Sequence, residues 1–276
     1  MINYREINKA WKCYIWICFL WNFNSCGLKI SQKPIVYVDA TSFFSQEKFQ
    51  EHWNMYYPWG TDHNGSARMY TENINIGNDS ILTITSKYIQ NQTEGNSTAD
   101  PYLKIAFHSG AIHAKQQIKV TEKLPYWVVS GDFKTPTTSS SWPAFWLTGV
   151  NSWPPEIDIL EFKGSETNWM NTVAGSSWDK TIWTTEKTIV EDAATKWHNY
   201  KLILERVDDQ NTMVKMYLDG KLKTTVVKDF TEKSFWLIIN MQMEGASGFT
   251  NDDAIARKVP QVFKAKNIYV AAIPVD

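Results

Sequence analysis

Trp153-Pro154-Pro155-Glu156-Ile157-Asp158-Ile159-Leu160-Glu161 places three carboxylates within six residues of a stretch whose Ile and Leu residues mark it as a strand. Successive side chains of a strand alternate faces, so Glu156 and Asp158 share one face while Glu161, five residues after Glu156, points to the other. One extra residue among Ile159 and Leu160, a β-bulge, brings Glu161 back to the face of the other two. The glutamates then stand roughly four effective strand positions apart, about 13 Å along the backbone.

Side chains leaning towards one another close that span towards the roughly 5–5.5 Å of a paired-carboxylate glycosidase of the retaining type. In that chemistry Glu156 is the ionised nucleophile. Glu161 is the acid that protonates the leaving oxygen and then the base that activates water. Asp158, between them on the same face, hydrogen-bonds the nucleophile and keeps the two pKa values apart. The alternative is a solvated strand edge whose acids have no chemical task.

Outward from this stretch, the chain reads as strands and turns without a stretch of helical periodicity. Ile81 to Thr85 alternates, as do Tyr200, Leu202 and Leu204, and then Val214, Met216 and Leu218. Asp219-Gly220, the favoured pair for a two-residue hairpin, separates the last of these from Leu222 to Val227. Further strands are expected over Gly110 to Val120, Tyr126 to Lys134, Glu156 to Phe162, Phe235 to Met243 and Val262 to Ala271. Many short strands with turns between them predict an all-β sandwich or barrel. The polar run Gln90 to Asp100 reads as an exposed loop.

Of the 276 residues, 21% are charged and 43% hydrophobic, ordinary for a soluble chain with a core, but 14 are Trp. That excess beyond core needs points to a cleft lined with flat aromatic platforms. The net charge of −1, with basic residues scattered, leaves no electrostatic footprint for nucleic acid. Cys13, Cys18 and Cys26 are the three cysteines, so the rest of the chain has no disulfide or Cys-based metal site. No cofactor is called for, and no motif marks a structural calcium on the convex face. A basic start (Arg5, Lys9, Lys12) precedes nine residues, Cys13 to Trp21, without a charged group. Residues 1–26 are therefore read as an export signal. Ser25-Cys26 resembles a bacterial lipoprotein cleavage site, with Phe23 where an aliphatic residue is usual; the alternative is a simple secretory cut nearby. The expected organisation is signal 1–26, tether 27–34 and one catalytic domain over 35–276, a monomer working outside the cytoplasm, secreted or anchored at the outer surface or in the periplasm through Cys26.

Trp142-Pro143-Ala144-Phe145-Trp146-Leu147, followed by the acidic stretch, closely resembles the core of glycoside hydrolase family 16 in its bulged-strand branch of laminarinases, agarases, porphyranases and carrageenases. Ser109-Gly110-Ala111-Ile112, Trp197-His198-Asn199-Tyr200, Tyr217-Leu218-Asp219-Gly220-Lys221 and the final strand extend the match over most of the mature chain. Pro154-Pro155 is a departure, standing before the nucleophile where Gly is common. The resemblance implies a β-jelly-roll of two curved antiparallel sheets, a cleft on the concave face and hydrolysis with retained configuration. It also implies cleft positions for Trp142, Trp146 and Trp153, a loop over the glycone subsites carrying Trp59 and Arg68, and sugar-bonding roles for Gln242 and Glu244. Trp178 is expected to add a further subsite.

Arg68, with His63 and Asn64 in its loop, is read as pairing with a sulfate, with Lys163, His108 and His113 as further cations or donors near an anionic sugar. The expected substrate is a red-algal galactan of porphyran or agar type, cut inside the chain at β-1,4-galactosidic bonds. The alternatives are a β-1,3-glucan, a mucin-type galactan, or a non-catalytic lectin of the same fold; a structural adhesin is disfavoured by the absence of repeats.

Overall fold

Alternation of apolar and polar residues in the outer strands, and near-continuous burial in Ser141–Gly149 and Ser234–Met243, build two sheets, each with one face turned to a common core. In the computed structural model, residues 33–77, 79–90, 94–245 and 258–275 are described. The expected signal 1–26, with Cys26, and most of the tether lie outside them.

One sheet has ten strands. Its spatial order is Lys221–Lys228, Thr212–Leu218, His198–Arg206, Tyr126–Lys134, Gln261–Ile273, Leu82–Tyr88, Phe107–Ser109 and Ala67–Met69, with Ile35–Val38 and Ile74–Ile76 attached to Gln261–Ile273 and Leu82–Tyr88. The other has eight, in the order Thr181–Ile189, Thr167–Gly175, Glu156–Glu161, Ser141–Gly149, Ser234–Met243, Ala111–Ala114 and Trp53–Met55, with Ile118–Lys119 also on Ser234–Met243. Neighbours are antiparallel except Ala67–Met69 beside Phe107–Ser109. Tyr200, Leu202, Leu204, Val214 and Met216 point inward from the first sheet, and Phe145, Leu147, Ile157, Leu237 and Ile239 from the second, all fully buried. Phe133 and Phe145 meet across the interface with ring centroids 4.8 Å apart. Each such side chain contributes on the order of 1.5–3 kcal/mol of burial, which is how the domain holds together without disulfides. This is the jelly-roll sandwich.

Asp219-Gly220 makes the expected hairpin, with φ of +48° and +74° at its two residues and Leu218 paired to Lys221. Two expectations need correction. Gly110 to Val120 is not one strand: Lys115-Gln116-Gln117 has no apolar side chain to bury, and pairing breaks between Ala111–Ala114 and Ile118–Lys119. A helix also exists, Gln46–His52, capped by Ser45, whose Oγ accepts from the Lys48 amide. It buries only Phe49, too little for a periodic signal.

Candidate active site

The bulge falls within the expected pair. Asp158 lies opposite Trp146 and Leu160 opposite Phe145, so Ile159 is the unpaired residue. Glu156, Asp158 and Glu161 consequently oppose Thr148, Trp146 and Ala144, every second residue of one strand and therefore one face. Ile157 and Leu160 oppose Leu147 and Phe145 and are fully buried on the core side. All three carboxylates line one pocket, together with His63, Asn64, Trp142, Ala144, Trp146, Asn240 and Gln242.

Each acid is held by named donors. Trp153 Nε1 donates to Glu156 Oε2 (2.9 Å), and Trp142 Nε1 to Glu161 Oε1 (2.8 Å). Asn171 Nδ2 donates to both Asp158 Oδ2 (2.8 Å) and Glu161 Oε2 (2.9 Å), while its own Oδ1 accepts from Thr185 (2.7 Å). Lys163 Nζ lies 3.2 Å from Glu161 Oε1, and the Glu161 amide donates to Asn168 Oδ1. Burial raises all three carboxyl groups, Glu156 to about 7 and Asp158 well above its ordinary range. Neighbouring negative charge adds to the rise at Glu156 and Asp158, whereas Lys163 and the Trp142 indole pull Glu161 back. The three carboxyl groups are therefore biased together towards their protonated forms.

Two aromatic groups flank the acids. On one side Trp59 stacks on Tyr57 at 5.2 Å, and His63 lies 5.3 Å from Trp59 and 5.7 Å from Trp146. Burial lowers His63 to about 4, so it is neutral and available as a hydrogen-bonding ring. Trp146 is itself only 5% exposed and donates to Asn240 Oδ1 at 2.7 Å. On the other side Trp153 meets Trp178 at 5.0 Å and Trp183 at 6.3 Å, with Trp178 75% exposed. The hairpin carrying Pro154-Pro155 is closed by Gly149 N–H donating to the Pro155 carbonyl, and it leaves the Trp153 indole against Glu156.

Arg68 is not where a sulfate reader must be. Its guanidinium donates to Asp62 Oδ1 and Oδ2 (both 2.8 Å), to the Glu94 carboxylate and carbonyl, and to the Asn96 carbonyl. Those bonds use the whole donor fork within the protein, and Arg68 clamps the loop instead of reading a ligand. His108 pairs with Glu94 (2.9 Å) in the same network. His113 is held by Asn54 and the Tyr56 carbonyl, outside the pocket lining. Gln242 lines the pocket, but its Oε1 accepts from the Ala67 and Met243 amides and its Nε2 donates to the Ala67 carbonyl. It positions the loop, and a Cβ on Gly65 would overlap its side chain. Glu244, one residue past the strand end, is buried with φ of +38° and stands outside the pocket lining.

Asn171, Asn240, Trp183 and Trp169 reach the acid-bearing face and escaped sequence reading. Thr167–Gly175 lacks the β-branched run that marks a strand, and its register against the acids exists only in the sheet. Among the described residues no group of three or more His, Cys, Asp or Glu side chains is placed to hold a metal ion.

A jelly roll with buried carboxylates on one sheet face, flanked by tryptophans, defines a carbohydrate-active protein of the glycoside hydrolase class. Residues 64–256 match the family described as glycosyl hydrolases family 16, and the chain belongs to that family. It is 40% identical over 236 residues to a galactan endo-beta-1,3-galactanase from Flammulina velutipes, covering 84% of this chain and 88% of the relative. Among solved structures, an endo-1,3-beta-glucanase from Streptomyces sioyaensis superposes with a TM-score of 0.66 at 17% identity (91% of this chain, 99% of that one). LamAcat from Zobellia galactanivorans does so at 0.60 and 20% (81% and 91%). These two likenesses speak to the fold.

Proposed function

We propose that this chain is an exported, endo-acting, retaining β-galactanase that cuts the main chain of a β-1,3-linked galactan, with Glu156 as nucleophile and Glu161 as acid/base. The observation that carries the reading is the bulge at Ile159, which puts the buried Asp158 and Glu161 and the half-buried Glu156 in one pocket. Glu156 attacks the anomeric carbon while Glu161 protonates the leaving oxygen. Forming the glycosyl ester removes the negative charge of Glu156, so Glu161 loses a neighbour that favoured its neutral form. Lys163, Trp142 and Asn171, all donors to Glu161, then stabilise the carboxylate that takes a proton from the attacking water. Asp158, expected from the sequence to hydrogen-bond Glu156, instead accepts from Asn171, the residue it shares with Glu161, and acts on Glu156 through its charge.

The identity to a β-1,3-galactanase supports galactan as the substrate class. A sulfated, porphyran-type chain cut at β-1,4 bonds has lost its anchor, because Arg68 is fully engaged inside the protein. Release of reducing ends from β-1,3-galactan, laminarin, agar and porphyran is the direct test, with the anomer first formed read by proton NMR. Cleavage of laminarin alone would favour the glucanase reading. Glu156→Gln is expected to lower turnover by at least about 10³-fold while leaving polysaccharide retardation on affinity gels nearly unchanged, since shape is kept and the nucleophile is lost. Near-normal activity in that variant refutes the assignment.

A further inference from the structure

Next to Glu161, the outer face of the eight-stranded sheet carries a second charged group that hydrolysis of a neutral chain does not require. Trp169 and Lys187 are direct cross-strand partners. The Lys187 ammonium lies 3.7 Å from the Trp169 ring centroid, and Lys163 lies 5.3 Å from the same centroid and 5.9 Å from that of Trp142. Lys163 also touches Glu161, so the group abuts the acids. Among the described residues Lys187 forms no ion pair, and its ammonium sits over the indole ring.

Lys163 is countered by Glu161, whereas Lys187 has no carboxylate partner among the described residues, and holding its long side chain against the ring costs rotamer freedom. A cation–π contact at an exposed site offsets only part of this cost. An anion beside the Lys187 ammonium, with Lys163 on the same indole, gains a charge-assisted hydrogen bond, while the indole offers apolar surface to a sugar ring.

We propose that Lys187 and Lys163, arranged about Trp169, form a subsite for an acidic sugar, one bearing a carboxylate or a sulfate, adjoining the reacting bond on the Glu161 side. The polysaccharide that suits this chain is then a galactan with anionic substituents. The inference rests on the proposed function for its galactan backbone, but not for the charge it reads.

The test uses three oligosaccharides with one galactan backbone: neutral, uronic acid-bearing and sulfated. Binding is followed by calorimetry and turnover is followed in parallel. The wild-type chain is expected to bind at least one acidic oligosaccharide on the order of tenfold more tightly than the neutral one, the scale of one charge-assisted hydrogen bond. Lys187→Met should erase that preference and change neutral binding less than about twofold, and Lys187→Arg should keep it. Which acidic arm wins separates carboxylate from sulfate. Equal binding of all three oligosaccharides, or a preference that survives Lys187→Met, overturns the subsite. A chain that hydrolyses none of them, yet binds acidic ones more tightly through Lys187, fails the proposed reaction and keeps the subsite.

Discussion

The Trp153 indole is the group whose removal reports most directly on Glu156. Burial drives the Glu156 carboxyl up to about 7, and the Trp153 N–H opposes that rise because a donor favours the charged form. Trp153→Phe keeps an aromatic ring against Trp178 and Trp183 but deletes the donor. The neutral form of Glu156 gains, its pKa rises further, and an ionised nucleophile is available only at higher pH. The acid limb of the kcat/KM profile should therefore move upward by about one pH unit, with little change on the alkaline side. A profile that falls uniformly without moving would mean the indole serves only as a sugar platform.

At the scale of elements, the bulged strand and the loop 56–66 are held by different physics. The strand is fixed by its ladder and by Ile157, Ile159 and Leu160 in the core. The loop carries His63 and Asn64 to the pocket, with Trp59 packed against His63 and Trp146, and is fixed by polar pairing: Arg68 to Asp62 and Glu94, Gln242 to Ala67, and Asp62 to Thr98. Asp62, nearly buried, is held down to about 2, chiefly by Arg68 against the cost of burial. Arg68→Met leaves that carboxylate without its guanidinium and should cost about 2–3 kcal/mol of stability, measurable by urea unfolding. Activity should fall by a similar factor on sulfated and neutral chains, because the loss is of loop geometry and not of a ligand contact. The sign of the pH effect follows: the folded pKa lies below the unfolded one, so the stability that Asp62 contributes is present above about 4 and is lost as pH drops towards 2.

Over the whole molecule, the first described strand closes the ten-stranded sheet against the last one. Ile35 pairs with Ala272 and Val38 with Val270, Val38 is fully buried, and Tyr37 stacks on Trp127 at 5.1 Å. Removal of residues 1–32 keeps this strand. Removal of residues 1–40 deletes it, exposes Trp127 and the ladder edge, and should cost on the order of 3 kcal/mol or more, read as a fall in melting temperature of several degrees. Equal stability of the two truncated chains would show that the strand contributes nothing to the fold.

Local pattern was enough to determine that this is an all-β chain, that its hairpin turns at Asp219-Gly220, and that three acids meet on one face through a bulge at Ile159 or Leu160. Period-two alternation and a left-handed turn pair are properties of adjacent residues, and a bulge is demanded wherever acids five apart must share a face. What Arg68, Gln242 and Glu244 do was decided by the folded loop that sets Asp62, Glu94 and Asn96 around one guanidinium, by Ala67 lying 175 residues from Gln242, and by a strand end, none of which a local pattern encodes. The same is true of Asn171, which reaches Asp158 from a neighbouring strand, and of Lys187, which finds Trp169 only through cross-strand register. Chemistry carried by consecutive residues was legible in the chain, whereas the task of a lone polar side chain depended on the donors and acceptors that sheet pairing set beside it.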